Sequence, residues 1–90
     1  MLEARLRVSN TLGLHARAAA QLVRLSNRYR SDITIVRLDT DLKANAKSIL
    51  SVLNLAAAVG VDLEIAADGE DEAEAIKAIT DLFTSNFGEE

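Results

Sequence analysis

Apolar and polar residues alternate along three segments of the chain, 2–8, 33–37 and 61–68. A period of two is typical of a strand that buries one face and leaves the other in water. A turn at residues 39–41, which contains two aspartates, would return the chain as a short further strand over 42–45. The pattern therefore predicts four strands.

Three other segments, 16–28, 48–57 and 71–83, carry apolar residues at the spacing of an amphipathic helix. Asp71, followed three residues later by Glu74, has the arrangement of a capping box at the start of the third helix. The residues predicted to face inward are Ala19, Leu22, Val23 and Leu25 in the first helix, Ile49, Val52, Leu53 and Ala56 in the second, and Ala75, Ile76, Ile79, Leu82 and Phe83 in the third.

The predicted elements follow one another in the order βαββαβα, and no linker, repeat or low-complexity tract interrupts them. This order predicts an α+β fold, a two-layer open-faced β-sandwich in which a four-stranded antiparallel sheet carries three helices on one face. We expect residues 1–90 to form a single domain, with residues 85–90 as a frayed tail.

Composition narrows the class of protein further. Apolar residues make up 49% of the chain and aromatic residues only 3%, so the core must consist mainly of Ala, Val, Ile and Leu. The absence of cysteine excludes disulfides and thiol chemistry and fits a cytoplasmic location. A net charge of −4 argues against nucleic acid as a partner. The first residues do not have the layout of a signal peptide, and the most apolar stretch, 52–61, is too short to insert across a bilayer.

His15 is the only histidine, and it lies just before the first predicted helix in Gly13-Leu14-His15-Ala16-Arg17. A helix N-terminus offers unpaired N–H groups and the positive end of a dipole, which together bind anions. The backbone N–H groups of Ala16 and Arg17, with the Arg17 guanidinium, could hold phosphate oxygens while the imidazole acts as nucleophile. A loop histidine without a function would be the simpler interpretation if His15 stood alone.

Three segments together resemble the HPr family, the histidine-containing phosphocarriers of the bacterial phosphoenolpyruvate-dependent phosphotransferase system. They are residues 13–20 around His15, 45–50 around Ser48, and 69–76. The resemblance implies that Enzyme I phosphorylates His15 at Nδ1 and that an EIIA domain then takes the phosphoryl group. It also implies a bacterial phosphoprotein that works in sugar transport without a cofactor or metal of its own. Because transient pairwise docking needs no dimer, we expect a monomer.

Ser48 opens the second predicted helix and is expected to be its N-cap. The resemblance matches it to a serine that a dedicated kinase phosphorylates in some HPr proteins. A phosphate there would lie at the positive end of the helix dipole. It would add negative charge to the face on which partners are expected to bind, without unfolding the domain.

A basic stripe and an apolar patch are predicted beside His15. Arg24 and Arg28 fall within about 20° of Arg17 around the first helix; the stripe could steer acidic partners or be ordinary surface charge. The residues considered for an apolar docking patch are Ala20, Ile49, Leu50 and Leu53, although for each residue alone the core is the favoured location.

Two positions depart from the family pattern. Ala18 stands where the family commonly has proline, which gives up some preorganisation of the first helical turn. Leu12 stands where a short polar residue is common. We expect both departures to tune the site without removing a group that the chemistry needs.

An alternative function is a regulatory binding module of a nitrogen-type or incomplete phosphotransferase system. Such a protein would act through its phosphorylation state on a transcriptional regulator or an enzyme. A Ser-His-Asp hydrolase is disfavoured because no serine motif is placed to work with His15. An acyl carrier is disfavoured because no Asp-Ser-Leu attachment motif opens a helix.

Overall fold

Four antiparallel strands form one sheet in the computed structural model, which describes residues 1–89. The strands are β1 (Leu2–Arg7), β2 (Asp32–Arg37), β3 (Leu42–Asn45) and β4 (Asp62–Asp68), and the helices are α1 (Ala16–Ser26), α2 (Ile49–Leu53) and α3 (Glu72–Thr84). The strand order is β1-β4-β2-β3. The predicted α+β sandwich, with the element order βαββαβα, is confirmed.

The central strand β4 pairs antiparallel with both β1 and β2. Its register places Ile65 opposite Ala4 on one side and opposite Ile35 on the other. Alternate residues of β4, namely Leu63, Ile65 and Ala67, are fully buried. The period of two therefore directs one face of the sheet into the core, where α1, α2 and α3 pack.

The second helix is shorter than the predicted 48–57, because it ends at Leu53 with Asn54 as its C-cap. Ala56 has a φ of 48°, in the left-handed region, so it cannot be part of a right-handed helix. Its side chain is exposed and does not face the core as predicted. The chain turns there so that Leu55 and Ala57 are buried. The first helix likewise ends at Ser26, two residues before the predicted end, with Asn27 as its C-cap.

The predicted capping box of the third helix is wrong. Asp71 is the N-cap residue of α3 but makes no side-chain cap hydrogen bond. Its carboxylate accepts instead from the backbone N–H of Arg30 at 2.8 Å, from the N–H of Ser31 at 3.0 Å and from the Ser31 hydroxyl at 2.5 Å. Glu72 accepts from the Gly69 N–H at 3.1 Å. Asp71 therefore ties the turn after α1 to the start of α3.

Residues 86–88 form a 3₁₀ turn where the sequence predicts a frayed tail over 85–90. Phe87 is only 3% exposed, and its ring packs edge-on against Phe83 with the ring centres 4.9 Å apart. The Ser9 hydroxyl donates to the Asn86 side chain at 2.5 Å. Apolar burial therefore anchors the tail as far as the structure describes it, and the remaining residue of the predicted tail, Glu90, lies outside the described residues.

The loop that follows β1 is held against the turn that precedes β4. The Leu14 N–H donates to the Ala57 carbonyl at 2.8 Å, and the Gly60 N–H donates to the Val8 carbonyl at 2.8 Å. Gly13 is buried with a φ of 66°, and a Cβ placed on it would lie 2.6 Å from the Ala57 oxygen. This close approach requires glycine at position 13.

None of the helices in residues 1–89 combines the length and the apolar character needed to cross a bilayer.

We predict that Asp71→Asn destabilises the protein at neutral pH and lowers its melting temperature by several degrees. The three hydrogen bonds hold the pKa of Asp71 at about 2, below the ordinary value of 3.8. Because the folded-state pKa is lowered, the contribution of the carboxylate is complete above about pH 5, where the unfolded chain is also ionised, and is lost as the pH falls towards 2. The gap in melting temperature between the wild type and the variant should therefore close between pH 5 and pH 2.

Asp32→Asn is the matched control, because it removes the same charge from an exposed side chain that makes no hydrogen bond within residues 1–89. A gap for Asp71→Asn that stays constant with pH, or equals that of the control, would contradict the assigned role.

We predict that Gly13→Ala lowers the free energy of unfolding more than Gly60→Ala. Both glycines have a positive φ, 66° and 90°, so alanine costs about 1–2 kcal/mol at either position. Only at Gly13 does the added methyl meet backbone atoms; at Gly60 nothing lies within 4 Å. The overpacking should add about 1–3 kcal/mol at Gly13. Denaturant unfolding measures both variants, and equal losses would contradict the close approach.

Candidate functional site

His15 is the N-cap residue of α1, with an extended backbone of φ −75° and ψ 178°. Its carbonyl accepts the first helical hydrogen bond, from the Ala19 N–H at 2.8 Å. Its Nδ1 accepts from the Arg17 N–H at 3.3 Å, so this ring nitrogen takes the place of the oxygen that an aspartate or serine cap would supply. The imidazole therefore presents Nδ1 to the unpaired donors of the helix.

The other ring nitrogen is bound by the end of the chain. The Glu89 carboxylate contacts His15 with Oε2 2.5 Å from Nε2, and its Oε1 accepts from the Asn10 amide at 3.0 Å. The side chain of His15 is 27% exposed and that of Glu89 is 15% exposed. His15 is thus held from both sides, by a backbone N–H at Nδ1 and by a carboxylate at Nε2.

Asn10 links the loop before His15 to the tail. It is buried, and its amide donates to the Gly13 carbonyl at 2.8 Å as well as to Glu89. Both amide hydrogens are used, while Oδ1 is buried and has no hydrogen-bond partner among the described residues. Neither Asn10 nor Glu89 could be predicted from the sequence, because Glu89 follows His15 by 74 positions and no local pattern relates them.

Hydrogen bonds and charges keep the tail carboxylate ionised. The hydrogen bond from Asn10, followed by the one with His15, lowers the pKa of Glu89 below its ordinary value. The positive charge of Arg17 acts in the same direction, while burial opposes it. The ionised carboxylate can only accept hydrogen bonds, so the proton shared with His15 belongs to Nε2.

Arg17, Arg24 and Arg28 are exposed on α1 and on the turn that follows it. None of the three makes an ion pair within residues 1–89. Arg24 and Arg28 also border a shallow groove between α1 and α3, together with Leu82. Three guanidinium groups therefore face solvent along one side of the helix that begins at the histidine.

Exposed apolar residues lie on α2 and on the loop before His15. Leu50 is 72% exposed, Ile49 is 38% exposed and Leu12 is 68% exposed. Leu53 is half-buried and packs against the core, and Ala20 of α1 is also half-buried. The helical spacing predicts that Ile49 and Leu53 both face inward. This is wrong for Ile49, the first residue of α2, which lies at the surface with Leu50.

Ser48 is the N-cap residue of α2, and its hydroxyl accepts from the Ser51 N–H at 3.4 Å. The side chain is half-buried. Ala16 is the first residue of α1 and is exposed, whereas Ala18, at the position where the family commonly has proline, is fully buried. Within the described residues, no group of three or more His, Cys, Asp or Glu side chains is placed to hold a metal ion.

Comparisons with known proteins agree with this arrangement. The model of the PTS-HPr family, described as the PTS HPr component phosphorylation site, matches residues 2–85. A phosphocarrier protein HPr of Xylella fastidiosa is 43% identical over 90 residues, which cover 100% of this chain and 99% of the relative. A phosphocarrier protein NPr of Klebsiella oxytoca is 39% identical over 83 residues, or 92% of this chain and 91% of the relative.

Solved structures show the same fold. The crystal structure of HPr-C-His from Thermoanaerobacter tengcongensis superposes with a TM-score of 0.95 at 41% identity, and covers 100% of this chain and 99% of that one. An HPr dimer from the same organism has a TM-score of 0.78 at 40% identity, with coverage of 99% and 100%. The resemblance drawn from three sequence segments is thereby confirmed over the whole fold: the chain belongs to the HPr family of phosphocarriers of the bacterial phosphotransferase system.

Proposed function

We propose that His15 accepts a phosphoryl group from phosphorylated Enzyme I and passes it to an EIIA domain. The observation that carries this proposal is the position of the ring. Nδ1 lies at the N-terminus of α1 with the Arg17 N–H 3.3 Å away, so a nucleophilic nitrogen and a donor for phosphate oxygens occupy one place.

The surroundings of Nδ1 suit a phosphoryl group that binds and is then transferred on. The backbone N–H groups of Ala16 and Arg17, at the first two positions of α1, would bind phosphoryl oxygens, and the Arg17 guanidinium would neutralise part of their charge. The bond between phosphorus and the imidazole nitrogen breaks readily when the ring carries a proton on its other nitrogen. Transfer in both directions therefore needs little change in free energy.

The surface around His15 supports transient docking. Ile49 and Leu50 are exposed apolar residues of α2, and Leu53 of α2 and Ala20 of α1 are half-buried. The two helices pack against each other. The arginines of α1, including Arg24, present positive charge on a protein whose net charge is −4. A small apolar area on α2 and guanidinium groups on the neighbouring helix α1 fit a partner with an acidic surface that must also dissociate. A monomer in the cytoplasm suffices for such sequential contacts.

We predict that Enzyme I, phosphoenolpyruvate and Mg²⁺ load one acid-labile phosphate onto the wild type and none onto His15→Ala. Arg17→Ala should slow loading by about tenfold or more, because charge-assisted hydrogen bonds to the phosphoryl group are lost. Intact mass and ³¹P NMR measure the product, and adding an EIIA domain should remove it.

Arg5→Ala is a matched control for Arg17→Ala, since Arg5 lies on β1 and bonds to Glu64. Phosphate that persists in a folded His15→Ala variant would contradict the assignment of His15.

We further propose that Ser48 is a regulatory site at which an HPr kinase/phosphorylase could add phosphate. Ser48 adjoins the exposed Ile49 and Leu50, so a phosphate would put two negative charges beside the apolar patch. The α2 N-terminus tolerates that charge, so the expected effect is on docking and not on folding.

We predict that Ser48→Asp slows transfer from Enzyme I by about tenfold, equivalent to about 1.4 kcal/mol, with the melting temperature unchanged. Ser48→Asn is the control, because asparagine caps a helix as well as aspartate does but carries no charge. Stopped-flow or quench-flow transfer rates for both variants decide the matter. An unchanged rate for Ser48→Asp would refute the proposal.

A second candidate is a regulatory module of a nitrogen-type phosphotransferase system, favoured by the similarity to a phosphocarrier named NPr. In that role, phosphorylation of His15 would change the affinity for a transcriptional regulator or an enzyme. The two functions differ in the fate of the phosphoryl group: a carrier passes it to an EIIA domain, while a regulatory module keeps it and changes its binding partner.

A further inference from the structure

We propose that Glu89 is a positioning residue for phosphoryl transfer: its carboxylate holds the Nε2 proton of His15 and so leaves Nδ1 as the nitrogen that takes the phosphoryl group. The inference rests on the proposed role of His15. It assigns a function to the C-terminal end of the chain, beyond the sequence segments that identify the family.

The geometry separates the two ring nitrogens. Oε2 of Glu89 lies 2.5 Å from Nε2, whereas Nδ1 faces the Arg17 N–H at 3.3 Å. The hydrogen at Nε2 points at the carboxylate, so the lone pair of the neutral ring is on Nδ1. Glu89 also covers Nε2 sterically, since its carboxylate is in direct contact with that nitrogen.

Contacts of neighbouring residues with the rest of the fold fix the position of the Glu89 carboxylate. Phe87, two residues earlier, is buried against Phe83, and Asn86 bonds to Ser9. Asn10 occupies the second oxygen of Glu89 at 3.0 Å. A side chain fixed at three neighbouring points loses little further entropy when it binds the ring.

The transfer step gives the carboxylate an electrostatic task. The Nδ1 lone pair forms a bond to phosphorus while the bond from phosphorus to the donor atom breaks, and that electron pair stays with the donor. The proton remains on Nε2, so the imidazole part of the product carries a positive charge. Glu89 compensates this charge from the side of the ring opposite to the phosphoryl group. In onward transfer a lone pair of the acceptor forms a bond to phosphorus while the bond from phosphorus to Nδ1 breaks, and that electron pair returns to Nδ1.

Chemical phosphorylation with potassium phosphoramidate tests the proposal without Enzyme I. In the wild type we expect phosphate on Nδ1, located by ³¹P and ¹⁵N NMR on the single histidine. In Glu89→Ala, Nε2 is uncovered and no longer held as a donor, so a substantial fraction of the phosphate should appear on Nε2. The control is Glu74→Gln, which removes one negative charge from the exposed first turn of α3, the end of that helix away from the tail.

Enzymatic transfer supplies a second measurement. Glu89→Ala should lower kcat for phosphorylation by Enzyme I on the order of tenfold and leave KM unchanged, since the docking patch is untouched. The glutamine of Glu89→Gln has one acceptor oxygen in place of two and no negative charge, so it can replace only part of the carboxylate's interaction with Nε2. The kcat of this variant should therefore fall between those of the wild type and Glu89→Ala.

Two results would overturn the proposal. One is the same distribution of phosphate between the nitrogens in the wild type and in Glu89→Ala; the other is faster transfer by Glu89→Ala, which would make the carboxylate an obstacle. Both are distinct from a failure of the carrier function. In that case the wild type would take no phosphate from Enzyme I, while the phosphoramidate result would still report on Glu89.

Discussion

The close packing of residues 8–14 against the turn that precedes β4 is the constraint on which the rest of the site depends. Only glycine at position 13 lets the backbone approach Ala57, and the Leu14 N–H then bonds to the Ala57 carbonyl. These contacts fix the point at which the chain enters α1, and therefore the place of His15 as its N-cap. The imidazole, which we propose as the nucleophile, is thus positioned by hydrogen bonds that join two loops.

The same histidine belongs to two parts of the fold. Through Nδ1 it caps the N-terminus of α1, and through Nε2 it contacts the carboxylate of Glu89 in the C-terminal tail. The tail reaches this position because α3 lies along the sheet and Phe87 is buried just beyond its end. The chain has only two phenylalanines, Phe83 and Phe87, and they pack against each other where the tail turns back towards His15. In the proposed mechanism, transfer at Nδ1 therefore depends on the packing that places Glu89 at Nε2.

The sequence predicts those parts of the fold that arise from local periodicity. The alternation of apolar residues in β4 and the helical spacing in α3 follow directly from which face is buried, and both elements appear within a few residues of their predicted bounds. The end of α2 could not be predicted, since Ala56 adopts a left-handed conformation that is rare for alanine. Asp71 has the spacing of a capping box, but partners 40 and 41 positions earlier compete successfully for its carboxylate.

For the site, the local sequence indicates His15 and Arg17, because a helix N-terminus with an arginine two residues after a histidine can bind an anion. It gives no indication of Asn10 or Glu89, whose roles depend on contacts made across the whole chain.

The most direct test of the proposed chemistry is ¹⁵N NMR of the histidine ring after phosphorylation by Enzyme I. The account predicts that phosphorus is coupled to Nδ1 while Nε2 still carries its proton. Coupling of phosphorus to Nε2 would contradict it.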